Sequence, residues 1–307
     1  MVDDEAVRRR AGVPVIDFHT HAQPSLEAAD EFFGWMVDRP RLTPGTADDL
    51  FARMRELGVV RSHVVPWLPA QDLVAAEAAR GRPREEAVAE VVARWRSLNA
   101  WAAALAAANP DRITATVGVD PVLMSPAEIE EEVGRRLAEG ASGIKIAPMF
   151  LDIEPSDDRL EVVWDLALRH DVFVLSESGA RGAMGHEPWG HPRFFRAVLR
   201  RHPELRLQLA HLGAGAEGIV AELAREYPNV VADLAARLER LGEPGRWSPE
   251  EAVAAIRGVG VDRVLYATNF PLPDVAACMA AFRALPLADE EFEAVAWRNA
   301  ARFLGAG

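Results

Sequence analysis

The 307 residues carry 34 Lys and Arg against 47 Asp and Glu, a formal net charge of −13, and half of them are hydrophobic. That balance suits a globular domain able to bury a sizeable core, and its acidic sign disfavours nucleic acid and anionic membrane as partners. The one cysteine, Cys278, excludes an internal disulfide, residues 1–10 are too charged for a secretory signal and no apolar run reaches membrane-spanning length, so the expectation is a cytoplasmic protein.

In chain order, short apolar runs alternate with longer helical patterns. The first run, Val13-Pro14-Val15-Ile16, leads into Asp17-Phe18-His19-Thr20-His21. In an extended strand the side chains alternate faces, so His19 and His21 point the same way and can grip one metal ion. Strands are predicted over residues 13–18, 59–65, 113–119, 143–147, 172–176, 205–210, 230–233 and 263–268. Thr46, Ser125-Pro126-Ala127-Glu128 and Ser248-Pro249-Glu250-Glu251 mark helix starts, and Gly58, Gly140 and Gly260 mark stops. Continuous rather than alternating apolar strands fit a parallel sheet covered by helices. Eight such units predict a (β/α)8 TIM barrel, one α/β domain over residues 1–307, with a doubly wound sheet as the alternative. Two segments exceed the repeat, residues 22–45 after the first strand and 70–109 after the second. They are expected to be helical insertions acting as lid or interface elements, or simply as packing.

A barrel gathers its strand C-termini around one mouth. The first strand brings His19 and His21 there, the fourth Lys145, the fifth Glu177, the sixth His211 and the eighth Asn269. Three imidazoles, a carboxylate, an ammonium and a carboxamide at one rim are hard to explain as packing alone. The run Gly213-Ala214-Gly215-Ala216-Glu217-Gly218 lacks the Lys-Ser/Thr ending of a phosphate loop, so nucleotide binding is not expected. His63 is ambiguous, and His170 and His202 near helix C-termini read as structural.

Taken with Val117-Gly118-Val119-Asp120-Pro121, Gly143-Ile144-Lys145-Ile146, Ala210-His211-Leu212-Gly213 and Asn299-Ala300-Ala301-Arg302, the opening Asp17-x-His19-x-His21 resembles the amidohydrolase superfamily. The resemblance covers nearly the full length. It is to the branch holding aminocarboxymuconate-semialdehyde decarboxylase and related metal-dependent hydrolases and decarboxylases. It implies a hydrolase or carbon–carbon lyase using one divalent metal on a small-molecule substrate, with no organic cofactor and often as a homodimer.

Two departures bear on function. Glu177-Ser178-Gly179 stands where members carry a histidine ligand after strand five, and Ala267-Thr268-Asn269 stands where they carry an aspartate after strand eight. His19, His21 and Glu177 then form the candidate metal set, suited to zinc first and to manganese or iron as alternatives. The competing reading pairs Glu177 with Lys145 or Arg181. His211, Asn269 and Glu177 are the candidate catalytic groups. Asn269 cannot accept a proton near neutral pH, which favours decarboxylation, dehydration or cyclisation over ordinary hydrolysis. Lys145, Arg181, Trp67, Trp189 and His186 are the candidate substrate contacts, for an unsaturated or aromatic anion; His186 is also a candidate replacement ligand. A metal-free enzyme, or a barrel that only binds, remains open on the same two departures.

Overall fold

The computed structural model describes residues 4–36 and 40–305; residues 37–39, within the first predicted insertion, and the termini 1–3 and 306–307 lie outside them. Eight parallel strands follow one another in sequence order around a barrel: β1 (Val15–Thr20), β2 (Val59–Val64), β3 (Ile113–Gly118), β4 (Gly143–Ile146), β5 (Phe173–Ser176), β6 (Leu207–Leu209), β7 (Val230–Asp233) and β8 (Val264–Leu265). Every predicted strand is present. β1 starts later than expected and runs through His19, because Pro14 has no N–H to give a ladder. β8 is only two residues long. Residues 261–263 coil into a 3-10 turn, and beyond Leu265 the Thr268 amide bonds a side chain, the Asp17 carboxylate, at 2.9 Å.

That carboxylate closes the barrel. Asp17 also accepts from Thr268 Oγ1 at 2.6 Å, and the backbone seam is completed by Phe18 N–H to Tyr266 O, Asn269 N–H to His19 O and His21 N–H to Phe270 O. Burial pushes the Asp17 carboxyl up to about 7, with the Thr268 bonds pulling against it. At its N-terminal end the barrel is plugged by Phe18, Phe173 and Phe303, with ring centroids 4.9–6.0 Å apart. The last helix, Asn299–Phe303, is pinned there by Asn299 Nδ2, which donates to Val261 O and Val264 O.

The predicted caps form. Ser125 with Glu128 and Ser248 with Glu251 make reciprocal capping boxes, and Thr46 caps the helix Ala47–Leu57. The insertions are helical: Leu26–Trp35 after β1, then Ala70–Ala79 and Arg84–Ala108 after β2. Among the described residues no helix is long and apolar enough to cross a membrane.

The long helix is locked to β3 by one side chain. Asn99 is buried; its Oδ1 accepts from Gly118 N–H at 2.8 Å and its Nδ2 donates to Gly118 O at 2.9 Å. The approach is close enough that a Cβ on Gly118 would lie 2.2 Å from a Trp95 ring carbon. Gly118→Ala is therefore expected to cost about 1–3 kcal/mol through overpacking. A thermal melt unchanged from that of the unmodified protein would contradict this lock.

Candidate functional site

The seam places the β1 histidines at the barrel mouth. The β1–β2 register slips between Asp17 and Thr20. The irregularity lets Phe18 fill the core while His19 turns into the mouth beside His21. Their Nε2 atoms lie 3.2 Å apart. Each ring's other nitrogen has an acceptor that sets its tautomer: His19 Nδ1–H donates to Asp233 Oδ2 at 3.1 Å, and His21 Nδ1–H to Val65 O at 2.8 Å. His211 Nδ1–H likewise donates to Ala235 O at 2.9 Å, and its ring stacks 5.4 Å from that of His19. Three Nε2 lone pairs are thereby left without a proton.

Facing lone pairs repel unless a cation lies between them. A proton is a poor candidate, because burial pulls His19 and His21 below the usual imidazole range and His211 to about 4. A divalent metal ion suits two neutral imidazole nitrogens. Two buried oxygens in the same pocket, Glu177 Oε2 and Asn269 Oδ1, have no hydrogen-bond partner. The donor set fits a metal at His19 and His21.

Glu177 sits otherwise than a ligand triad requires. Among the described residues no three His, Cys, Asp or Glu side chains come together closely enough to hold a metal. The Glu177 carboxylate leans back against the returning loop, so that a Cβ on Gly190 would lie 2.2 Å from its Oε2. Burial pushes it up, offset in part by Lys145, which burial pushes down. The structure thus brings His19 and His21 together and leaves Glu177 as a buried acid beside Lys145.

The pocket, about 570 Å³, lies in the size range of small-molecule sites. Lys145, Arg181 and Trp67 line it as expected. Trp189 and His186 do not. Trp189 stacks near Phe194 and faces a surface depression beside Asp157 and Arg159. Both ring nitrogens of His186 are taken by carboxylates, Asp152 and Asp72, each at 3.1 Å, so it ties the loop after β5 to the helix Ala70–Ala79 and to Asp152, and neither nitrogen is turned toward the His19–His21 pair. His63 is buried under Phe18, its Nδ1 paired with Thr114 Oγ1, away from the mouth.

Sequence reasoning missed Asp233 and two arginines. Asp233 ends β7, where the same survey of strand ends would have found it. It is fully buried and accepts from His19 Nδ1, Gln208 Nε2, His211 N–H and Ala235 N–H. Burial works against the charge, yet His19 and these bonds hold the carboxyl well below the usual range. Arg237 and Arg246, on the loop after β7, line the pocket. Arg237 lies 3.8 Å over the Trp247 ring and donates to Glu217 at 2.7 Å. No motif marks such loop residues.

The amidohydrolase family model matches residues 16–306. A search of curated proteins finds no match. Among solved structures, the chain is similar to an uncharacterised TIM-barrel protein of Bordetella bronchiseptica (17% identity, 96% of this chain, 99% of that one, TM-score 0.73). It is also similar to 5-carboxyvanillate decarboxylase of Sphingomonas paucimobilis (18%, 96% and 99%, TM-score 0.68). A third is a dihydroxybenzoic acid decarboxylase from a Polaromonas species with bound manganese and the inhibitor 2-nitroresorcinol (15%, 96% and 97%, TM-score 0.65).

Two outcomes follow from this geometry. Asp233→Asn turns an amide NH2 toward N–H donors; it is expected to lower stability by about 1–3 kcal/mol and the affinity for zinc or manganese about 10–100-fold. Unchanged affinity by calorimetric titration would show that Asp233 does not orient His19. For His186, burial pulls the pKa down but the Asp152 and Asp72 bonds outweigh it and raise it. Its contribution is then complete below the free value and fades as pH rises through the higher folded value. Hydrogen exchange in residues 179–190, corrected for intrinsic rate, should quicken from pH 6 to pH 9, and His186→Phe should abolish that difference.

Proposed function

The chain belongs to the amidohydrolase family, and on that premise we propose that it is a metal-dependent carbon–carbon lyase, a decarboxylase of small aromatic or unsaturated carboxylic acids. One observation carries the reading: the Nε2 atoms of His19 and His21, each stripped of its proton by a fixed tautomer, face each other at 3.2 Å. Those two nitrogens would hold the metal. A bound divalent ion supplies a Lewis acid that draws electron density from the substrate's oxygen groups.

The rest is done by the chain. Lys145, Arg181, Arg246 and Arg237, the last already paired with Glu217, line a pocket in which Glu177 is the one lining carboxylate among the described residues, which favours an anionic substrate although the protein is acidic overall. Phe32, Trp67 and Phe150, packed edge to face at 5.1–5.7 Å, give the opposite side flat apolar surface for a ring. Loss of carbon dioxide breaks a C–C bond and leaves its electron pair on the substrate carbon, which must then take up a proton. Asn269 cannot supply one. Glu177 can, because burial raises its pKa and keeps a share of it protonated near neutrality. In this reading Glu177 carries the proton rather than the metal, and His211, held neutral, positions or relays it.

The test separates the two roles of Glu177. The purified protein should hold about one equivalent of zinc, manganese or iron by elemental analysis. His19→Ala should lose it. Glu177→Gln should keep the metal while losing at least about 100-fold in carbon dioxide release from a panel of hydroxylated benzoic acids. Metal lost with Glu177→Gln would make Glu177 a ligand. Less than a tenth of an equivalent in the unmodified protein, even after supplementation, would end the metal-dependent reading.

A further inference from the structure

The inserted segments border a second cavity, open to solvent and about 480 Å³, which shares Phe32, Trp35 and Trp67 with the catalytic pocket. We propose that it binds one neutral, planar aromatic molecule of one or two fused rings. Its volume is that of a small-ligand site. Trp101, Leu73 and Leu98 complete walls that are aromatic or aliphatic. Phe32 already meets Trp67 at 88° and 5.7 Å, the edge-to-face geometry a further ring would extend.

The rim decides the ligand's charge. Among the described residues three charged side chains border the cavity, and each has a partner: Glu31 pairs with Arg94, and Glu90 with Arg82. Among these residues no cation is left to hold an anion and no carboxylate to hold a cation, in contrast to the pocket next door, where Lys145, Arg181 and Arg246 gather. Ser97 and Gln23 remain as polar groups for a single hydroxyl or ring N–H. Two wall residues also touch the metal-binding pair: Phe32 lies 5.8 Å from the His21 ring, and Gln23 Nε2 donates to His21 O at 3.0 Å. An occupant therefore bears on side chains that hold His21 in place.

The test uses the full chain and 2-naphthol, uncharged at neutral pH. Calorimetry should show one equivalent bound. Ala93→Trp and Ser97→Trp, at exposed positions of the helix Arg84–Ala108 that border the cavity, should each weaken binding at least tenfold. Three results would overturn the proposal. The unmodified chain does not bind; or both variants bind as it does, which places 2-naphthol in the catalytic pocket; or sedimentation shows a dimer that either tryptophan converts to monomer, which makes the cavity an interface between copies.

Discussion

Asp233 is a carboxylate sealed from solvent and surrounded by four N–H donors. A buried carboxylate keeps its charge only where donors replace the water it has lost, since its desolvation costs several kcal/mol; Lys145 adds a longer-range attraction. Here the donors come from β1, β6, the turn after β6 and the residue two beyond Asp233 itself. One of them is the amide of His211, whose φ of 61° is unfavourable for a residue with a Cβ. The same carboxylate thus holds a strained backbone turn and sets the tautomer of His19. The site exists in its present form because β7 delivers that charge behind it.

The barrel's layout and its site share a boundary. β1 and the residue just after it supply both histidines of the pair, and β1 also supplies the seam that joins the first strand to the last. Asp17 and His19 are two residues apart, one facing Thr268 and the other Asp233, so the closure of the fold and the aim of the paired imidazoles are set by the same short stretch. This explains why Asn269, on the far side of the seam, is presented to the pocket: its amide bonds His19 O and its backbone turns through a φ of 71°.

Much of this was legible in the amino-acid order. Continuous apolar runs, capping boxes and the His-x-His spacing are local signals, and local signals survive without knowledge of neighbours. The contacts that local signals leave open are non-local. His186 reads as a substrate contact or replacement ligand until Asp72 and Asp152, distant in sequence, close on it. Glu177 follows a strand as a ligand or an ion-pair partner would, and its direction depends on Gly190, thirteen positions on, having no side chain. Asp233 ends a strand as the other rim residues do, so its place at the mouth is legible from the same pattern. Arg237 and Arg246 were beyond it, because loop conformation after β7 follows from packing such as the Trp247 stack rather than from periodicity.

Because β1 is joined at the seam to residues 266–270, the pair of imidazoles takes its present geometry only when that late stretch has docked on the first strand. During synthesis β1 emerges early and its clasp only after the other seven strands. A nascent chain that stops short of residue 266 carries His19 and His21 without the bonds that aim them, so the facing nitrogens are a product of late folding.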